Sequence, residues 1–84
     1  MSDKGREFVE RWVADNVVAD AQREVEERDP EGDDLTEQCL AAAAEQDITR
    51  DDIEDEVGYL PRYMVHALRD KAEAERQRLR GRED

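Results

Sequence analysis

The sequence predicts an all-α protein, a small bundle of three to four helices. Three observations carry this expectation. Apolar residues recur at helical spacing along each long segment. Capping and breaking residues stand where those segments would begin and end. Four consecutive alanines, at positions 41–44, lie in the middle segment, where they propagate helix and let a neighbouring helix come close. With 84 residues the chain makes one domain at most. Its large apolar side chains suffice for one thin core. Such a core is often completed by a second copy or a partner, which makes homodimerisation an open expectation.

Taken in order, Ser2 or Asp3 can cap a first helix whose apolar face is Phe8, Val9, Trp12, Val13, Val17, Ala21 and Val25. That pattern supports a helix running unbroken to about Glu27, with a break near Asn16 as the alternative, because Val17 and Val18 are indifferent helix formers. Residues 28–34, RDPEGDD, combine proline, glycine and four acids, and read as a loop. Asp33 or Asp34 is then the expected cap of a second helix, LTEQCLAAAAEQ, with Leu35, Cys39, Ala42 and Ala43 turned inward and Leu40 beside them. Thr49 is a strong cap for a third helix, with acids in its first turn. Ile48 before the cap can staple onto Ile53.

The stretch that follows, IEDEVGYLPRYM, poses the main ambiguity. Ile53, Val57, Leu60, Met64 and Leu68 form a single helical stripe that runs through Gly58 and Pro61 without losing phase. A proline inside a helix costs about 3 kcal/mol. The last long helix is therefore either kinked or broken between Gly58 and Pro61, and the unbroken phase favours the kink. Residues 1–68 read as the single helical domain, and residues 69–84 as a charged tail, helical or fraying.

The net charge is −12. Residues 1–60 hold 20 acids and 6 bases, and residues 61–84 hold 5 acids and 7 bases. Affinity for nucleic acid comes from Lys and Arg neutralising phosphates, so this balance argues against it and towards basic partners. A helix-turn-helix reading would present Arg62, His66 and Arg69 to DNA. Its supporting helix would then hold Asp51, Asp52, Glu54, Asp55 and Glu56 close to phosphate. Arginine outnumbers lysine, with Lys4 and Lys71 the only lysines, and the Ala, Val and acid bias suggests a GC-rich genome or a salt-adapted cytoplasm. Cys39 is the sole cysteine, which leaves no intramolecular disulfide. The N-terminus has no apolar signal core and no segment reaches the length of a membrane span, so a cytoplasmic location is expected.

Two stretches, GREFVERWVADNV (from Gly5 to Val17) and LTEQCLAAAAEQDITRDDIEDEVGYL (from Leu35 to Leu60), resemble a family of small alpha-proteobacterial proteins common in rhizobia. It is catalogued as domain of unknown function 768. The shared features are a Gly-x-x-Phe-x-x-x-Trp opening with Asn-Val after it, then Leu-Thr, an Ala-rich helix, an isoleucine and an Ile-x-x-Glu-Val-Gly block. The resemblance covers about Gly5 to Leu68. It implies a bacterial, all-helical protein and brings no activity. The chain departs from the family's pattern in its longer, more charged stretch from Asp20 to Asp34 and in its longer tail.

No catalytic machinery is nominated, and an enzyme is not expected. His66, the one histidine, has no evident nucleophile or carboxylate held against it. Cys39 lies on an apolar helix face, where a buried thiol is commoner than a reactive one. Asp51, Asp52, Asp55 and Glu56 read as a solvated face rather than a cation site. Glu27, Asp29, Glu31 and Gly32 match the opening of a calcium loop, but Pro30 interrupts it and Gln38 stands where a bidentate Glu is needed. No metal or cofactor is expected. The most economical function is protein–protein contact by a small accessory or regulatory factor. Trp12, Tyr59, Tyr63 and Met64 are the candidate contact residues. The runner-up is an acidic mimic that neutralises a basic, nucleic-acid-binding partner, followed by helix-turn-helix DNA binding.

Overall fold

A computed structural model describes residues 3–81, which form four helices and no strands among the described residues. Ser2, one of the two expected caps, lies outside the described residues, as do residues 82–84 of the tail. Helix α1 spans Lys4–Asn16. It stops eleven residues short of the expected end at Glu27. The Asn16 side-chain amide donates to the Trp12 carbonyl at 2.9 Å, satisfying an acceptor the helix end would leave open. Val17 then turns extended, at φ −89° and ψ 118°. Two adjacent valines part here: Val17 is 2% exposed and joins the core, while Val18 is 85% exposed. β-branched residues adopt extended backbone readily, and the core takes one valine by breaking the helix.

The second departure is at α2, which spans Pro30–Ala44 rather than starting after Asp33 or Asp34. Asp29 is the cap. Its carboxylate accepts from the backbone N–H of Glu31 at 3.0 Å, and Pro30 occupies the first turn, where its missing N–H costs nothing. The glycine read as a loop signal is a packing residue. A Cβ on Gly32 would lie 2.7 Å from Val65 Cγ2 and 3.0 Å from the Pro61 carbonyl, so only glycine lets the two helices meet. The Thr36 hydroxyl donates to the Gly32 carbonyl at 2.7 Å inside the protein.

Helix α3, Arg50–Val57, opens on the expected Thr49 cap. The Asp52 N–H donates to Thr49 Oγ1 at 3.1 Å and the Thr49 N–H donates to Asp52 Oδ2 at 3.0 Å, a reciprocal capping box. Ile48 and Ile53, on either side of the cap, are both buried. The kinked-helix expectation is corrected at Gly58: α4 is a separate helix, Leu60–Gly81. Gly58 sits at φ 89° and ψ −160°, a conformation open essentially to glycine alone. The break moves Pro61 from a helix interior to a first turn. There it takes no hydrogen bond from its neighbours. Glu54 reaches across the break, and its carboxylate accepts from the Leu60 N–H at 2.7 Å.

Helix α1 packs chiefly on α3 and α2 chiefly on α4, while α1 and α2 touch only lightly. The shared core contains Val9, Val13, Val17, Leu35, Cys39, Ile53, Leu60, Met64 and Leu68. Helix α4 continues past Leu68 without interruption, and Ala72 on the same stripe is buried. The segment between α1 and α2 lies along this part of α4. The Arg76 guanidinium donates to the carbonyls of Ala21 at 2.7 Å and Arg23 at 3.0 Å.

Candidate functional site

The light contact between α1 and the end of α2 leaves a groove of about 840 Å³. Phe8 and Trp12, one turn apart on α1, form one side of it. Ala42 near the end of α2, with Gln46 and Ile48 beyond the helix, forms the other. Phe8 and Trp12 are half-buried and pack against the core from outside. The small Ala42 side chain opens the floor where a larger residue would close it. Glu7, Glu10, Arg11 and Asp15 rise along the rim.

The four candidate contact residues have different fates. Trp12 lines this groove. Met64 is 0% exposed and lies in the core, which corrects its assignment to the surface: the stripe of Leu60, Met64 and Leu68 is the face α4 turns inward. Tyr63 is half-buried against the core, and burial pushes its phenol above the ordinary range, with the Glu10 carboxylate adding to the effect and Arg6 opposing it. Tyr59 is 64% exposed, under the Arg50 guanidinium at 5.8 Å from the ring centre. It lines a second, smaller groove of about 480 Å³ with Pro61, Arg62 and Val65. Tyr59 precedes α4, while Tyr63 lies in its first turns, and the two tyrosines do not line one groove. Trp12 and Tyr59 therefore serve separate grooves.

Other side chains are occupied structurally. Asp29, one of the calcium-loop matches, accepts from Glu31 N–H, from Glu26 N–H at 3.3 Å and from Arg23 at 3.0 Å. These bonds, led by that of Glu31, hold its carboxyl below the usual carboxylate range. The Thr49 backbone N–H does the same for Asp52, and the Leu60 N–H for Glu54. Burial pushes the Cys39 thiol up to about 11. His66 is exposed on α4. Among the described residues no three of His, Cys, Asp and Glu converge where a metal ion could sit, and no helix is long and apolar enough to cross a membrane.

Apart from Trp12, the residues lining the groove were not nominated from the sequence as contacts. Gln46 had no periodicity to mark it, and Ile48 reads fully as a cap staple. The signal for the groove itself was the alanine run, which permits close approach at Ala43 and leaves a hollow at Ala42. No family model matches the chain, and neither does any curated protein or solved structure. The functional reading rests on the chain's own residues.

Proposed function

We propose that the protein acts by protein–protein contact, as a small accessory or regulatory factor, and that the contact is made in the α1–α2 groove around Trp12. One observation carries the reading: the only tryptophan of the chain lies half-buried in the largest groove described, beside Phe8, instead of completing the core. Tryptophan is the residue most enriched among those that dominate binding energy, because it supplies much apolar area at little entropic cost. A lone cysteine suits a reducing compartment, and the reading is of a cytoplasmic protein.

The test is a tagged pull-down from the native cell with wild type and Trp12→Ala side by side, washed at low and high salt. A stoichiometric partner held by wild type and lost by the variant is the expected result. Equal recovery by both proteins sinks the groove as the contact surface. A second reading draws on α3, where Asp51, Asp52, Asp55 and Glu56 are all exposed: an acidic mimic of nucleic acid. Its partner would survive Trp12→Ala, would be lost on charge reversal at Asp55 and Glu56, which stand outside the Thr49–Asp52 capping box, and would leave in high salt as the charges are screened. Recovery of this chain alone would turn the question to self-association.

A further inference from the structure

We propose, building on the reading of the α1–α2 groove as a protein-binding site, that its occupant is a basic amphipathic helix of the partner. Length and shape point first to a helix. Residues from Lys4 to Asn16 line the groove, which therefore follows the whole of α1, about 18 Å or three helical turns. Its apolar lining is set by Phe8 and Trp12, four residues apart on α1, and by Ala42 and Ile48 opposite. An apolar strip that runs along one helix suits a further helix that buries only its i, i+3, i+4 stripe.

Charge then selects the kind of helix. The groove is lined by Glu7, Glu10 and Asp15 against Lys4 and Arg11. A smaller hollow continues it, sharing Lys4 and Ile48, and adds Asp47, Asp52, Asp55 and Glu56 with no further base. Glu10 is partly neutralised by Arg6 at 3.3 Å. Neither α1 nor α2 has a base in its last turn, and both of those ends border the groove, where their negative dipole ends add to the field; the positive start of α1 at Lys4 borders it as well and opposes them there. The carboxylates along the α1 rim and in the adjoining hollow meet the Lys and Arg flank of such a helix with complementary charge. A second copy of this chain, at net charge −12, would bring like charge to the rim everywhere except through its last segment, where residues 61–84 hold 7 bases against 5 acids.

Trp12 reports on its own groove, since it is the sole tryptophan. Three tryptophan-free peptides of about 18 residues, or five turns, serve as probes. One is a Leu/Lys amphipathic helix, one a Leu/Glu helix with the same apolar face, and one a Ser/Lys peptide of the first one's charge with no apolar face. The expected result is a saturable blue shift of Trp12 emission with Leu/Lys, at an affinity about tenfold or more above either control. That affinity should weaken several-fold, without vanishing, between about 50 and 300 mM salt. Reversing the exposed rim carboxylates, Glu7→Lys with Asp15→Lys, should remove most of the preference while leaving the circular dichroism unchanged. Equal binding of Leu/Glu overturns the basic occupant and leaves the groove standing as a docking site. Equal response to Ser/Lys overturns the amphipathic helix in favour of bulk charge attraction. Silence from all three peptides overturns the proposed occupant, and the Trp12-dependent pull-down then decides separately whether the groove binds protein at all.

Discussion

Cys39 sits in α2 with no exposed surface, between Leu35 and Ala43 on the face that meets the core. Removing water from a thiol penalises its charged form, and the push to about 11 cuts the thiolate fraction at pH 8 about a hundredfold relative to an ordinary cysteine. Cys39 should therefore resist a thiol reagent in the folded protein and react at the full rate once denatured. Prompt stoichiometric labelling without denaturant would contradict its burial. The chemistry of this residue was legible in the sequence, because a small thiol on the inner face of an alanine-rich helix has one natural environment. Met64 shows the opposite case. Its place four residues from Leu60 and Leu68 marked it as part of a stripe, but the stripe alone did not say which partner would cover it. The structure buries it beneath its own chain.

At the scale of elements, the decisive position is Gly58. Its φ of 89° and ψ of −160° end α3, and nothing lies within 4 Å of where a Cβ would stand. A substitution there pays in backbone strain alone. Gly58→Ala should destabilise the protein by about 1–3 kcal/mol, read from chemical denaturation against wild type. Equal or greater stability would mean that α3 and α4 can fuse into the kinked helix that the apolar phase also permits.

Three carboxylates cap helix starts: Asp29 for α2, Asp52 for α3 and Glu54 for α4. All three have folded pKa values lowered, chiefly by the backbone N–H groups they accept from. A lowered folded pKa contributes stability that is full above the unfolded value, near pH 4, and is lost as pH falls through the folded value. Asp29→Ala should therefore cost about 1 kcal/mol near neutrality, and its deficit relative to wild type should shrink as the pH approaches 2. Measuring the difference separates the cap from the general relief of repulsion that acid brings to a chain of net charge −12. A deficit that stays constant down to pH 2 would show that the carboxylate charge is not what holds the cap.

At the scale of the whole molecule, α4 organises the fold. Its 22 residues reach about 33 Å, which accounts for most of the 47 Å long axis. Its inner half receives α2 and the core, and its outer half receives the segment between α1 and α2 through Arg76. Arg76→Ala should leave the helical content in place and loosen that segment. Limited trypsin digestion should then cut at Arg23 or Arg28 several-fold faster than in wild type. An unchanged cleavage rate would show that the backbone there is held by other contacts, such as Arg23 with Asp29 and Glu31.

By itself, the sequence determined the fold class, the third helix start and the thin apolar core, because each follows from chemistry within a few residues. Thr49 and Asp52 lie three apart and satisfy each other's donors, whatever surrounds them. The periodic spacing of Val9, Val13, Ile53, Leu60 and Leu68 selects one buried face in any compact arrangement. Tertiary structure decided what local rules leave balanced. Val17 and Val18 are chemically alike, and only the position of the core picks one and stops α1 there. Gly32 reads as a loop until Val65 comes close enough to require a residue without a side chain. The groove at Trp12 exists because α1 and α2 lean on different partners, α3 and α4, and so diverge from each other. That divergence is a property of how four helices share one small core.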